Sequence, residues 1–155
     1  MQDNFNNTVV SQLLTPLVRT ADVNATGHDK WNWRSVLHLA QFGITGDTLS
    51  GSVYVDVFLE HSTALSSGYA AVTDVAEITG AMLDITTGKL CRVDANAEDD
   101  QLYKVEYKGT KRYSRLRFDF VGSHSNGIEI GALAIASFPR YVGRNQFSDA
   151  SAAGA

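Results

Sequence analysis

The sequence predicts an all-β protein, a single antiparallel β-sandwich of jelly-roll-like type. The clearest sign is the segment after the turn residues at 46–51, where Val53, Val55, Val57 and Leu59 alternate with polar or aromatic residues. A strand with one buried face requires this period of two. The pattern recurs in about eight short segments separated by turn residues, as is typical of β-sandwiches. No segment shows an equally clear helical period.

The strands can be placed in order along the chain. We predict strands at 30–42, 52–61, 69–72, 89–93, 102–107, 111–121 and 128–138, whereas 73–87 fits short strands or one helical turn. Two turns predict hairpins: Gly109-Thr110 between the strands at 102–107 and 111–121, and Asn126-Gly127 before the last strand. That last strand is apolar almost throughout, which predicts a strand covered on both faces.

The N-terminal part differs from the rest. We expect an N-terminal arm at 1–27, extended or with a short helix broken at Pro16, then a β-sandwich domain at 28–142 and a mobile tail at 143–155, rich in Ala, Ser and Gly. The apolar residues of the arm are predicted to pack on their own domain or on a neighbouring subunit: Val9, Val10, Leu13, Leu14, Leu17 and Val18.

Composition narrows the function classes. The chain has 155 residues, of which 44% are hydrophobic and 19% charged, below the usual value of about 25%. This favours a protein whose surface is partly covered by partners. The net charge of −4 argues against direct nucleic-acid binding, which needs a basic surface. There is no apolar run of about 18 residues, so no membrane span is expected, and the N-terminus does not resemble a secretory signal.

Candidate chemistry is sparse, and we expect no catalytic residues, no metal and no cofactor. The single Cys91 excludes an intrachain disulfide and is predicted to be a small buried hydrophobe. Glu60 and His61 lie next to each other on a strand, so they point to opposite faces and cannot orient each other for catalysis. The histidines show no metal-ligand spacing; they are His28, His38, His61 and His124.

An acidic loop at 94–101 is the one plausible calcium site. It lacks the central glycine and the closing glutamate of a calcium-binding loop, so a solvated loop is the main expectation.

A basic hairpin is predicted at 104–117, with lysines or arginines at 104, 108, 111, 112, 115 and 117. It is either a solvated face or an electrostatic contact, in which Arg115 and Arg117 meet carboxylates of a neighbour such as Asp94 or Asp99.

Trp31 and Trp33 are further interface candidates. With Tyr54 they could also form an aromatic platform for a sugar ring.

Four segments together resemble small proteins of tailed bacteriophages and of gene-transfer-agent-like prophages, which are encoded beside capsid genes. They are VRTADVNATG (18–27), GDTLSGSVYVDVFLEHS (46–62), YKVEYKGTKRYSRLRFDF (103–120) and SHSNGIEIGALAIASFPR (123–140). The resemblance covers most of the chain in the same order. It departs at HDKWNWRS (28–35) and STALSSGYAAV (62–72), where the family has shorter, acidic and glycine-rich text.

The resemblance implies a virion component made in the host bacterial cytoplasm. The leading expectation is a non-enzymatic capsid decoration, or cement, protein that bridges major capsid protein subunits. A homo-oligomer is expected, with a trimer as first choice by analogy with other decoration proteins. The alternatives are a head-spike base or another tail or adhesion component, and a carbohydrate-binding β-sandwich module. The family carries no catalytic residues to transfer.

Overall fold

In the computed structural model of the protein, which describes residues 7–140, eleven strands form two antiparallel sheets packed face to face. The predicted all-β sandwich is therefore confirmed. Among the described residues, no helix has the length and apolar character that crossing a membrane would require. The only helical element in this part of the chain is a short 3-10 turn, Val75–Glu77, whose N-cap Asp74 accepts a hydrogen bond from the Ala76 amide at 2.8 Å.

Sheet A has five strands. Their order is β1 (Thr8–Arg19), β11 (Ile128–Pro139), β4 (Trp33–Thr45), β9 (Leu102–Tyr107) and β7 (Ile78–Thr79). The two central strands β11 and β4 pair over ten positions, from Ile128–Thr45 to Pro139–Trp33. Strand β1 forms one edge of the sheet.

Sheet B has two long central strands, β5 (Tyr54–Ser62) and β10 (Tyr113–Val121), paired in continuous register over nine positions. The free side of β10 carries β2 (Val23–Asn24) and β3 (His28–Asp29). The free side of β5 carries β6 (Ala70–Ala71) and β8 (Lys89–Val93). The sheet is thus four strands wide.

The core lies between the sheets and follows the predicted alternation. On β5, Val55, Val57 and Leu59 have no exposed surface, and Leu116 and Phe118 on β10 are equally buried. From sheet A, Phe42 meets Phe118 edge to face at 6.0 Å between ring centroids. Each large apolar side chain buried in this way stabilises the fold by about 1.5–3 kcal/mol.

Both hairpin predictions are wrong. Strand β9 belongs to sheet A and β10 to sheet B, so the chain at Gly109-Thr110 crosses from one sheet to the other. The same holds at Asn126-Gly127, since β11 returns to sheet A. Gly109 is needed for space, because a Cβ there would lie 2.5 Å from the Tyr107 ring. Gly127 does turn the chain, with φ of +75°.

The predicted N-terminal arm is extended, but its described part is not separate from the domain. Residues Thr8–Arg19 form β1 and pair with β11 from Thr8–Ser137 to Arg19–Ile128. Pro16 interrupts no helix; it lies within the second of two register shifts in the strand, which fall at 12–14 and 14–17. Residues 1–6, and the tail predicted at 143–155, lie outside the described residues.

Candidate functional site

Strand β1 divides its apolar residues between the core and the solvent. Leu13 and Leu14 are buried and hold the strand against the domain. The other four predicted interface residues are exposed: Val9 43%, Val10 64%, Leu17 54% and Val18 62%. A strand at the edge of a sheet also presents backbone groups on its unpaired side, which makes it a template for a further strand.

The open edge is interrupted in the middle of β1. The Thr26 amide donates to the Leu13 carbonyl at 2.9 Å, inside the first register shift, and the second shift, which contains Pro16, follows directly. Bulges and prolines are devices that discourage strand addition. The segment Val9–Gln12 has none of them and carries no charge. It is the part of β1 best suited to accept another strand.

A second apolar surface lies on the outer face of sheet A, the face directed away from sheet B. Its centre consists of Leu37 and Leu39 on β4 and Leu133 and Ile135 on β11, all half-buried. We call these four residues the outer apolar patch. On β9, Glu106 lies beside Leu37 and Lys104 beside Leu39.

A partial signal for this patch is present in the sequence. The apolar run at 128–138 predicts a strand covered on both faces, and within the described residues sheet B covers one of these faces. The sequence alone does not distinguish these four residues as a site, because leucines and isoleucines in a strand are usually core.

The two tryptophans occupy different environments. Trp31 is 63% exposed, and its ring lies 5.0 Å from the Arg112 guanidinium. Trp33 is half-buried and packs against the core. Arg112 is itself held by hydrogen bonds of 3.0 and 2.7 Å to Asp29, so the Trp31 ring has a fixed cationic neighbour.

The proposed sugar platform is not formed. Trp31 lies near Asp29, which is paired with Tyr113 of β10. Tyr113 is paired on its other side with Ser62, the last residue of β5, whereas Tyr54 is the first residue of that strand. Eight residues of strand separate these ends, about 26 Å. Tyr54 is also covered by the Arg92 guanidinium at 3.8 Å. The three aromatic residues cannot stack on one ligand.

Arg115 and Arg117 lie on the outer face of sheet B and find their partners within the chain. Arg115 binds Glu60 at 2.8 Å. Arg117 lies 2.9 Å from Asp119 and 3.5 Å from Glu60. Within the described chain, a residue of the paired strand and a residue of the same strand therefore neutralise these arginines. The contact with carboxylates of a neighbour stays a prediction.

The basic hairpin does not exist as a single surface. Lys104 lies on the outer face of sheet A, whereas Arg115 and Arg117 lie on the outer face of sheet B. Aromatic rings lie against both cations: the Arg117 guanidinium is 4.5 Å from the Phe58 ring centre and that of Arg115 is 3.9 Å from the Tyr69 ring centre.

A polar cluster is buried at one end of the sandwich. The row His28–Ser114–His61 crosses sheet B and faces inward. His38 reaches it from sheet A and is 2.8 Å from the Ser114 hydroxyl. His61 Nδ1 lies 3.0 Å from the Tyr107 hydroxyl and 3.3 Å from Glu77.

This cluster is electrostatically unusual. Burial, with a contribution from nearby His28, lowers the pKa of His38 to about 3. Burial also lowers the pKa of His28 and of His61. Within the described chain, Nδ1 of His38, Nε2 of His28 and Nζ of Lys30 have no hydrogen-bond partner. Because His38 and Ser114 have no exposed surface, this serine–histidine pair is closed to a substrate.

The acidic loop uses its oxygens to hold neighbouring backbone. Asp99 accepts from the Thr45 amide and Asn96 from the Leu49 amide, both at 2.9 Å, and Glu98 accepts from the Asp94 amide at 3.0 Å. Residues 7–140 contain no group of three His, Cys, Asp or Glu side chains placed to hold a metal. Cys91 is buried as predicted, and burial raises the pKa of its thiol to about 12.

Comparison with known proteins gives no identification: no protein-family model matches the chain, and no curated protein matches it significantly.

Proposed function

We propose that this chain is a non-enzymatic structural protein of a bacteriophage virion, a capsid decoration protein that binds the major capsid protein of the assembled shell. The observation that carries the proposal is the open edge at Val9–Gln12, where, among residues 7–140, an uncharged segment with two exposed valines belongs to the outermost strand of sheet A. The major capsid protein is proposed as the partner because the sequence resembles phage proteins that are encoded beside capsid genes.

The edge would act by strand addition. An extended segment of a capsid subunit pairs with β1, main-chain hydrogen bonds supply affinity, and the side chains of Val9 and Val10 supply contact area. A protein that binds only the assembled lattice stabilises that lattice by linkage. Bridging two capsid subunits needs a second contact, which a homo-oligomer provides.

Two features of the site support a binding role rather than catalysis. The serine–histidine pair is fully buried, and the charged groups on the outer face of sheet B are paired with each other. The proposal places the protein on the capsid surface, after synthesis in the host bacterial cytoplasm.

The test is co-sedimentation with capsids of the phage or prophage that encodes the chain. The full chain should pellet with assembled capsids and not with unassembled capsid protein. The double variant Val9→Lys, Val10→Lys should lose about tenfold or more in affinity, because lysine on an edge strand opposes strand addition.

A matched control is Leu65→Lys, Leu83→Lys, since these two leucines are 53% and 62% exposed in loops outside the strands. The control should bind as the full chain does. Failure of the unaltered chain to bind capsids would overturn the function. Equal binding of a folded Val9→Lys, Val10→Lys variant would overturn the role of the edge.

A further inference from the structure

We propose that the outer face of sheet A binds the same face of a second copy of this chain, giving a two-fold symmetric dimer. The inference goes beyond the proposed function and does not depend on capsid binding. It is based on the size, the register and the charge of the residues on this face.

Side-chain size is inverted on β11. In the second half of the strand, after the buried Ile128 and Ile130, the residues that face the core are small: Ala132, Ala134 and Ala136, with 0–1% of their surface exposed. The residues between them that face outward are Leu133 and Ile135. A strand whose only apolar contact is with its own core places the larger residues inward, so the outward pair indicates a second covered face.

The register places the face in two parallel rows. One row runs from Ile135 through Leu37 to Glu106, across β11, β4 and β9. The next row, two residues further along each strand, runs from Leu133 through Leu39 to Lys104. On β1 the rows continue with Val10 beside Ile135 and Gln12 beside Leu133. The first row therefore has three apolar residues and one charge, the second has two apolar residues, a glutamine and one charge, and the two charges have opposite sign.

This arrangement is complementary to itself. A two-fold axis that runs across the strands, midway between the rows, exchanges one row for the other. Ile135 then faces Leu133 of the second copy, and Leu37 faces its Leu39. Glu106 meets Lys104 of the second copy, and the symmetry repeats that ion pair on the other side. A two-fold contact pairs a surface with itself and therefore needs such a self-complementary pattern. We name a second copy as the occupant because the order of charges on this face complements the face itself.

The contact should be weak. Four apolar residues with a polar rim make a smaller interface than the standard one, so we expect a Kd on the order of micromolar. The packing resembles two aligned sheets about 10 Å apart. Because a two-fold contact joins two copies only, a trimer would need a different surface.

The test is sedimentation velocity of the purified full chain over a range of concentrations up to the order of 100 µM. The unaltered chain should shift from monomer to dimer. Lys104→Glu and Glu106→Lys should each weaken the dimer about tenfold or more, because each creates two like-charge contacts. The charge swap Lys104→Glu with Glu106→Lys should restore it, since the pairs form again with exchanged signs.

Lys108→Glu is the matched control, because Lys108 is exposed just after β9 and lies outside both rows. It should leave the dimer unchanged, and Leu133→Glu should abolish it. A chain that stays monomeric overturns the proposal, as does a swap variant no better than the single reversals. A monomeric chain whose Leu133→Glu variant loses capsid binding would assign the face to the capsid and equally overturn the dimer.

Discussion

Replacing His38 with glutamine should make the protein less sensitive to acid. His38 has no exposed surface, and its Nε2 atom lies 2.8 Å from the Ser114 hydroxyl. Glutamine is polar and can keep a hydrogen bond to this serine, but it does not bind a proton in this pH range. The substitution therefore separates the titration of His38 from its hydrogen bond.

The size of the effect follows from linkage between protonation and folding. Burial lowers the pKa of His38 to about 3, whereas an unfolded histidine titrates near 6.5. Between these values the unfolded state binds the proton and the native state does not. The contribution to stability is thus fully present above pH 6.5 and is lost as the pH falls towards 3. From pH 7 to pH 4.5 the loss amounts to about 2.5 kcal/mol.

The assay is urea unfolding at pH 7 and at pH 4.5. The decrease in unfolding free energy between the two pH values should be about 2.5 kcal/mol smaller for His38→Gln than for the unaltered protein. Carboxylates titrate equally in both proteins, so their effect cancels. Ser114→Ala is the control: it removes the hydrogen bond, costs about 1 kcal/mol at both pH values and leaves the pH dependence in place. An identical pH dependence for His38→Gln would refute the reasoning.

Two further predictions concern the outer face of sheet B and the thiol. The Asp56 side chain is 7% exposed and binds Lys89 at 2.6 Å and Arg92 at 2.8 Å. The substitution Asp56→Asn leaves two cations beside a neutral group, so it should lower the free energy of unfolding in urea at pH 7 by about 2 kcal/mol. An unchanged unfolding midpoint would contradict this. Cys91 should react with a thiol reagent only as the protein unfolds, because it is buried and its thiol pKa is raised to about 12. Rapid labelling of the native protein would show that the thiol is accessible.

Local pattern was sufficient to predict the strands. The alternation at 52–61 became β5, and the segments 89–93 and 102–107 match β8 and β9 without change. On β5 the residues Val55, Val57 and Leu59 are buried on one face, so the period of two is visible in a single sequence. The loop at 94–101 was also placed correctly, because it is a polar break between two such segments.

Strand partners could not be predicted in the same way. Asn126-Gly127 correctly indicates a turn, and Gly127 has the positive φ that such turns need. A turn does not specify whether the next strand stays in the same sheet, however, and here it crosses to the other one. Pairing of β10 with β5 is determined by nine residues of register across a distance of more than fifty in sequence.

The same limit explains the arginines. Arg115 is bound by Glu60 because β5 and β10 pair in a register that places these two residues opposite each other. Without that register, the nearest visible carboxylates were those of the acidic loop. Charge pairs between strands are a consequence of topology, so a charge pattern alone could not identify them.

The outer apolar patch shows where pattern and structure must be combined. From the sequence, Ile128–Pro139 is an apolar strand with no preferred face. The structure assigns the alanines to the core and Leu133 and Ile135 to the opposite face. Apolar surface of this kind is costly to leave in water and is typical of a face that meets another protein. The charged residues beside it, Glu106 and Lys104, have the order that a second copy would complement. The same patch therefore bears on both the function and the assembly of the protein.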